Sequence, residues 1–308
     1  MKQDKAERSS AQKREDTTSL IERAAERLSQ APPADEPAAA HDRTRAAGEA
    51  PCGPAPERSS QQLEVNLEHL AAAGHLTPHR MRSRLAEEMR LIKRSVVQTF
   101  WHQEVDNANL IMVTSAFPGE GKSFSALNLA ISLACEVDFY VLLVDADFEQ
   151  PKLFEQLGVE SRPGLMEVLK DPSRDLSEIL WRTNIEHLSV IGPGQPDVRS
   201  SELLASQRMQ ALAQEMAQRY PDRLIIFDTP PLLSTSEPAV LAQHMGQILF
   251  VVEADVTRKE MIESALERLP ADCAAGMILN KGRSWLGSNQ YPYYGYRSHR
   301  YSDWETGA

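Results

Sequence analysis

The stretch Val113-Thr-Ser-Ala-Phe-Pro-Gly-Glu-Gly-Lys-Ser123 decides how the rest of the chain is read. It leaves a short apolar run, Leu110 to Thr114, and enters a segment with helical patterning, Ser123 to Cys135. A strand, a glycine loop and a helix in that order make a phosphate cradle. Glycines let backbone N–H groups close around phosphate oxygens, and the helix presents its N-terminus to the same anion. Ala116 to Ser123 matches a Walker A loop, with Ala116 where the strict pattern has its first glycine. Lys122 is placed to reach the β and γ phosphates, and Ser123 to ligate magnesium. Pro118, Gly119, Glu120, Gly121 and Phe124 complete the expected nucleotide loop.

Outward from the loop, short apolar runs alternate with helical segments. Phe139 to Val144 ends in Asp145, Leu224 to Phe227 ends in Asp228, and Gly276 to Leu279 ends at Asn280. Leu188 to Ile191 and Ile248 to Val252 are further strands, while Ser201 to Arg219 and Glu260 to Leu269 read as helices. This alternation predicts an α/β fold of the P-loop type, with a mainly parallel sheet covered by helices on both faces. In such sheets ligands sit beyond the carboxyl ends of the strands. Three acids fall there. Asp145 and Asp147, in Val141-Leu-Leu-Val-Asp-Ala-Asp147, are suited to holding a hydrated magnesium and orienting an attacking hydroxyl. Asp228, in Leu224-Ile-Ile-Phe-Asp-Thr-Pro-Pro231, resembles a Walker B acid. The expected metal set is therefore Ser123, Asp145, Asp147 and Asp228. Asn280 is equally readable as a contact to the adenine edge or as a turn residue.

The flanks differ from this middle. Residues 1–61 are rich in Ala, Pro, Ser, Glu and Arg and predict a disordered arm. Residues 62–108 predict a helical segment, with apolar positions Leu85, Met89, Ile92, Val96 and Phe100 at spacings of three and four. Residues 109–282 form the expected nucleotide-binding domain, and 283–308 a mobile polar tail. The net charge of −11 argues against non-specific binding to nucleic acid. Three scattered cysteines, Cys52, Cys135 and Cys273, suggest neither disulfides nor zinc, and a cytoplasmic setting follows. No apolar run approaches the ~20 residues of a membrane span, so any membrane role is expected to come through a partner.

Taken together, the three phosphate-site motifs resemble those of the bacterial tyrosine kinases, P-loop autokinases of capsule and exopolysaccharide export. The exosortase-associated tyrosine autokinase branch is the most similar that we recognise. A fourth shared motif is Glu87-Glu-Met-Arg-Leu-Ile-Lys-Arg94, and a fifth is the tyrosine-rich end. The resemblance spans about residues 62–296. It implies that Lys122, Asp145, Asp147 and Asp228 carry catalysis with ATP and Mg2+, Asp145 being first in line to activate the tyrosine hydroxyl. It implies that Glu87, Arg90 and Lys93 form an oligomerisation face, with Lys93 where the family has arginine, in a ring-like homo-oligomer. It implies a separate membrane polysaccharide co-polymerase, or chain-length regulator, as activator, a cognate tyrosine phosphatase, and a place at the inner membrane through that partner. Glu149 and Gln150 stand before Pro151 where the family usually has a basic residue.

Five of the seven tyrosines lie in the tail, at Tyr291, Tyr293, Tyr294, Tyr296 and Tyr301. They read as phosphoacceptors modified in trans within the oligomer. Each added phosphate brings about −1.5 to −2 charges, which is expected to loosen the assembly. The main rival is a MinD/ParA-like ATPase switch without kinase activity. Such switches carry a signature lysine where this chain has Phe117, and they lack a terminal tyrosine cluster. A scaffold that binds ATP without transferring phosphate is a third reading.

Overall fold

The computed structural model describes residues 61–102, 105–160, 162–219, 222–270 and 273–282. The N-terminal arm and the tail tyrosines lie outside the described residues. Among these residues an eight-stranded sheet forms, in the order β1-β4-β5-β3-β6-β2-β7-β8. The central strands are β2 (Leu110–Ser115), β3 (Tyr140–Asp145), β6 (Arg223–Asp228) and β7 (Gln247–Glu253), with β5 (Leu188–Ile191) and β8 (Ala274–Asn280) outside them. All these neighbours pair in parallel. The exceptions lie at one edge: β4 (Trp181–Thr183) runs antiparallel to β5, and β1 (Gln61–Leu63) runs parallel to β4.

The central runs are apolar throughout because both faces are covered. Ile111, Val113, Val141, Leu143, Leu224 and Ile226 face one core. Their neighbours Leu110, Met112, Leu142, Val144, Ile225 and Phe227 face the other. That is the period-two alternation of a strand buried on both sides. On the first face sits α3 (Lys122–Ala134), which is buried along nearly its whole length. An outer helix, α2 (Arg84–His102), covers it and turns Met89, Val96 and Ala86 inward. The short α1 (Leu67–Ala72) and α4 (Leu153–Leu157) also contribute to this core. The second face is built by α5 (Leu165–Lys170), α6 (Ser200–Leu204), α7 (Gln207–Arg219) and α8 (Glu237–Ala242). Finally, α9 (Lys259–Leu266) packs beside β7.

Two differences from the sequence reading have local causes. The helix expected over 201–219 is two helices. Ser206 interrupts it by donating to the Leu203 carbonyl and accepting from the Met209 amide, so that it caps the second helix. The segment read as helical before residue 109 also contributes β1 to the sheet. The Asn184 side chain fixes that start by accepting from the Val65 amide and donating to the Val65 carbonyl. A three-residue edge strand with no apolar alternation leaves no periodic signal to read.

Candidate functional site

Parallel register brings the acids together. In the β3–β6 ladder Asp145 stands directly opposite Asp228, and in the β2–β6 ladder Val113, the last β2 residue paired there, stands opposite the same Asp228. Two carboxylates 83 positions apart in sequence thus share one strand-end level beside the glycine loop. The loop itself turns at two glycines with positive φ, Gly119 at 89° and Gly121 at 100°. Ala116 is not among the positive-φ residues. Its backbone therefore needs no glycine, which explains the departure from the strict motif. Its carbonyl accepts from the Leu233 amide, and that of Ser115 from the Leu232 amide.

Other contacts brace the loop. Glu120 is buried, and its carboxylate accepts from the Phe117 amide at 2.7 Å and from the Thr257 hydroxyl. The Asn280 side-chain amide donates to the Glu120 carbonyl at 2.8 Å, and Lys281 donates to the Gly119 carbonyl at 2.7 Å. Residues at the end of β8 thus clamp the outer side of the loop. Of the two sequence readings of Asn280, an adenine contact or a turn residue, the structure shows its side-chain amide engaged in this clamp at the end of β8. Behind the loop, Asn128 donates to the Phe124 carbonyl and accepts from the Leu76 amide. The His75 ring packs on Phe124, with centroids 4.8 Å apart.

A cleft of about 200 Å³ opens over the loop. Pro118, Gly119, Gly121, Lys122, Ser123 and Phe124 line one part of it, and Asp147, Glu149, Gln150, Lys152 and Gln156 another. Pro230, Pro231 and Ser234 complete the lining. At its floor the Lys122 ammonium donates to Asp147 Oδ2 at 2.6 Å, and both side chains are nearly buried. Burial alone would lower the Lys122 pKa. The charges of Asp228, Asp147 and Asp145 outweigh it, and the ammonium is held above its ordinary value.

The acids are not equivalent. Asp147 reaches the cleft, while Asp145 and Asp228 have no exposed surface and lie beneath it. Asp145 accepts from the backbone amides of Asp147 and Leu153, which makes it a brace for the turn that carries Asp147. Burial, followed by repulsion from Asp228, pushes its carboxyl well above the usual range. Asp145 was the first choice for activating a hydroxyl, but it does not face the cleft. Neither oxygen of Asp228 completes a hydrogen bond. Burial raises its pKa to about 6, against the opposing pull of Lys122 and the nearby Ser123 hydroxyl.

A buried carboxylate without partners, close to a hydroxyl at the mouth of a phosphate loop, suits a hydrated divalent cation. Ser123 and Asp228 fit that role. Among the described residues no three acidic, histidine or cysteine side chains form a metal cage. The fit is thus to a cation whose other ligands are waters and phosphate oxygens, as is common for Mg2+.

The expected oligomerisation residues also separate. Arg90 pairs with Glu87 at 2.5 Å on the outer side of α2. Lys93 turns inward and is buried, bonding the Ser132 carbonyl and the Glu136 carboxylate. Helix geometry explains this. At 3.6 residues per turn, six residues fall about 120° short of two full turns, so Lys93 and Glu87 cannot share a face. The sequence reading missed Lys152 and Gln156 in the cleft and Thr257 behind Glu120. Lys152 lies just beyond Pro151 and could have been suspected from its distance to the acidic pair.

No protein-family model matches the chain. Over 188 residues it is 36% identical to the tyrosine-protein kinase YwqD of Bacillus subtilis, covering 60% of this chain and 77% of that protein. The chain belongs to the bacterial tyrosine-protein kinase family. Another member, the tyrosine-protein kinase ptk of Acinetobacter johnsonii, is 32% identical over 160 residues, or 52% of this chain. That match spans only 21% of the longer Acinetobacter protein. The crystal structure of the VpsO kinase domain superposes with a TM-score of 0.53 at 29% identity, over 65% of this chain and all of that domain. Enzymatically, membership makes the chain a tyrosine kinase. Among the described residues no helix is long and apolar enough to cross a membrane.

Proposed function

We propose that the chain is an ATP-dependent tyrosine autokinase that phosphorylates its own tail, at Tyr291, Tyr293, Tyr294, Tyr296 and Tyr301, in trans within an oligomer. The observation that carries this reading is the Lys122–Asp147 ion pair at the floor of the phosphate-loop cleft, with Asp228 unpartnered beneath it. Loop amides and the start of α3 hold the phosphates, and Lys122 neutralises their charge. Magnesium, where bound, supplies charge compensation on the phosphates, and Ser123 and Asp228 are the residues that would hold it. The phenolic oxygen attacks the γ-phosphorus, the β–γ bridge bond breaks, and ADP departs. Asp147, the acid that reaches the cleft, takes the phenolic proton. Asp145 orients it through the backbone of the turn.

The wider setting belongs to the same proposal. The kinase acts in exopolysaccharide or capsule production, close to the exosortase-associated branch. A separate membrane co-polymerase activates it and a tyrosine phosphatase resets it. Tail phosphorylation loosens the oligomer. Intact mass measurement after incubation with Mg-ATP tests the core of this. Up to five added phosphates are expected on the native chain, and none on a chain with phenylalanine at the five tail positions. Equal phosphorylation of both would place the acceptors elsewhere.

A further inference from the structure

Four charged side chains line the cleft: Lys122, Asp147, Glu149 and Lys152. They are not equally available to an incoming anion. Lys122 is committed to Asp147 at 2.6 Å. Glu149 is acidic and repels phosphate. Lys152 is exposed, and no ion pair holds it among the described residues. It lines the same cleft as Lys122 and Ser123 of the phosphate loop.

Local structure fixes where this charge sits. Asp147 Oδ1 accepts from the Gln150 amide at 2.9 Å, closing a tight turn from the acid toward Pro151. Asp145 Oδ2 accepts from the Leu153 amide on the other side of Lys152. The backbone carrying Lys152 is therefore held by both acids of the motif, while its side chain is exposed at the cleft. That combination suits a side chain that closes onto a ligand after it arrives.

We propose that Lys152 is a second phosphate-contacting cation of the cleft, engaging the terminal phosphate of the nucleotide from the Asp147 turn. The inference deepens the ATP reading above and rests on it. A triphosphate with one bound magnesium keeps a net negative charge that Lys122, shared with Asp147, offsets only in part. Lys152 supplies the remaining positive charge beside the phosphoryl group that leaves.

Calorimetric titration of the full chain with Mg-ATP and Mg-ADP tests this, using the native protein, Lys152→Arg, Lys152→Gln and Lys152→Glu. For Lys152→Gln, ATP affinity is expected to fall about tenfold, equivalent to ~1.4 kcal/mol, with a clearly smaller loss for ADP. Lys152→Glu loses more, and Lys152→Arg stays near native. Unfolding midpoints of the variants remain unchanged, since the side chain is exposed. ATP affinity within twofold of native for both Lys152→Gln and Lys152→Glu would overturn the assignment. Equal losses for ATP and ADP would overturn the terminal-phosphate contact. A native chain that binds neither nucleotide would overturn the ATP reading itself and this inference with it.

Discussion

Replacing Asp228 with asparagine isolates the cost of one buried charge. In the folded chain the carboxyl titrates at about 6 rather than 3.8, because burial disfavours the anion more than Lys122 and Ser123 favour it. The folded state therefore holds this proton more tightly than the unfolded state does. Below about pH 3.8 the group contributes nothing to the pH dependence. As pH rises through the window from 3.8 to about 6, stability is lost, and above it the penalty is constant. At ~1.36 kcal/mol per unit, the full penalty is about 3 kcal/mol, of which roughly 2 develops between about pH 4.5 and pH 7.5. Asparagine has no such titration. Its amide needs buried partners of its own, at a cost of about 1–3 kcal/mol, but that cost does not change with pH. Lys122 keeps Asp147 in either case.

Thermal unfolding without nucleotide or magnesium, run from about pH 4.5 to pH 7.5, reads this directly. Asp228→Asn is expected to gain on the native chain by about 2 kcal/mol across that range, or ~4–8 °C in relative midpoint. The gain should carry a functional loss. Magnesium-dependent stabilisation by ATP should fall sharply in the variant, because the charged group that faces the cation is gone. Native and variant midpoints that run parallel over the whole range would refute the reasoning, since they would show that Asp228 is already ionised at no cost.

Lys122→Met should abolish phosphotransfer and also destabilise the chain by about 3 kcal/mol, because it leaves Asp147 buried without its ion-pair partner; chemical denaturation measures the latter. Gly121→Ala should cripple nucleotide binding in a titration, since its Cβ would stand 2.0 Å from the Asn280 amide on a backbone at φ 100°. Lys93→Met should lower the unfolding midpoint while leaving the oligomer size unchanged in light scattering, because Lys93 bonds Glu136 within the same chain. An effect of that substitution on oligomer size alone would return Lys93 to an intersubunit role.

The parts of the fold that the sequence made legible were those with strong periodic or chemical signals. Strands such as Leu224–Phe227 were plain because an unbroken apolar run between loops suits a strand buried on both faces. The phosphate loop was plain because glycine, lysine and serine at those spacings serve one chemistry. Side-chain direction was not. Asp145 and Asp147 are two apart in sequence, yet one is sealed under the turn by Leu153 and Asp147 amides and the other faces the cleft. Nothing in the local sequence separates them, because the difference arises from where α4 begins. Asn280 was correctly placed at a strand end, but its partner, the Glu120 carbonyl, lies 160 residues away. Where Glu149 and Gln150 bring no positive charge, Lys152 lines the cleft, a placement that the turn around Pro151 sets.

The central claim is that this cleft moves a phosphoryl group from ATP to tyrosine. Incubating the chain with γ-labelled ATP and magnesium, then separating protein-bound label from free phosphate, tests it most directly. We predict label on phosphotyrosine in the native chain and none in Lys122→Met. Label released only as inorganic phosphate, with no phosphotyrosine formed, would contradict the account and identify the chain as an ATPase.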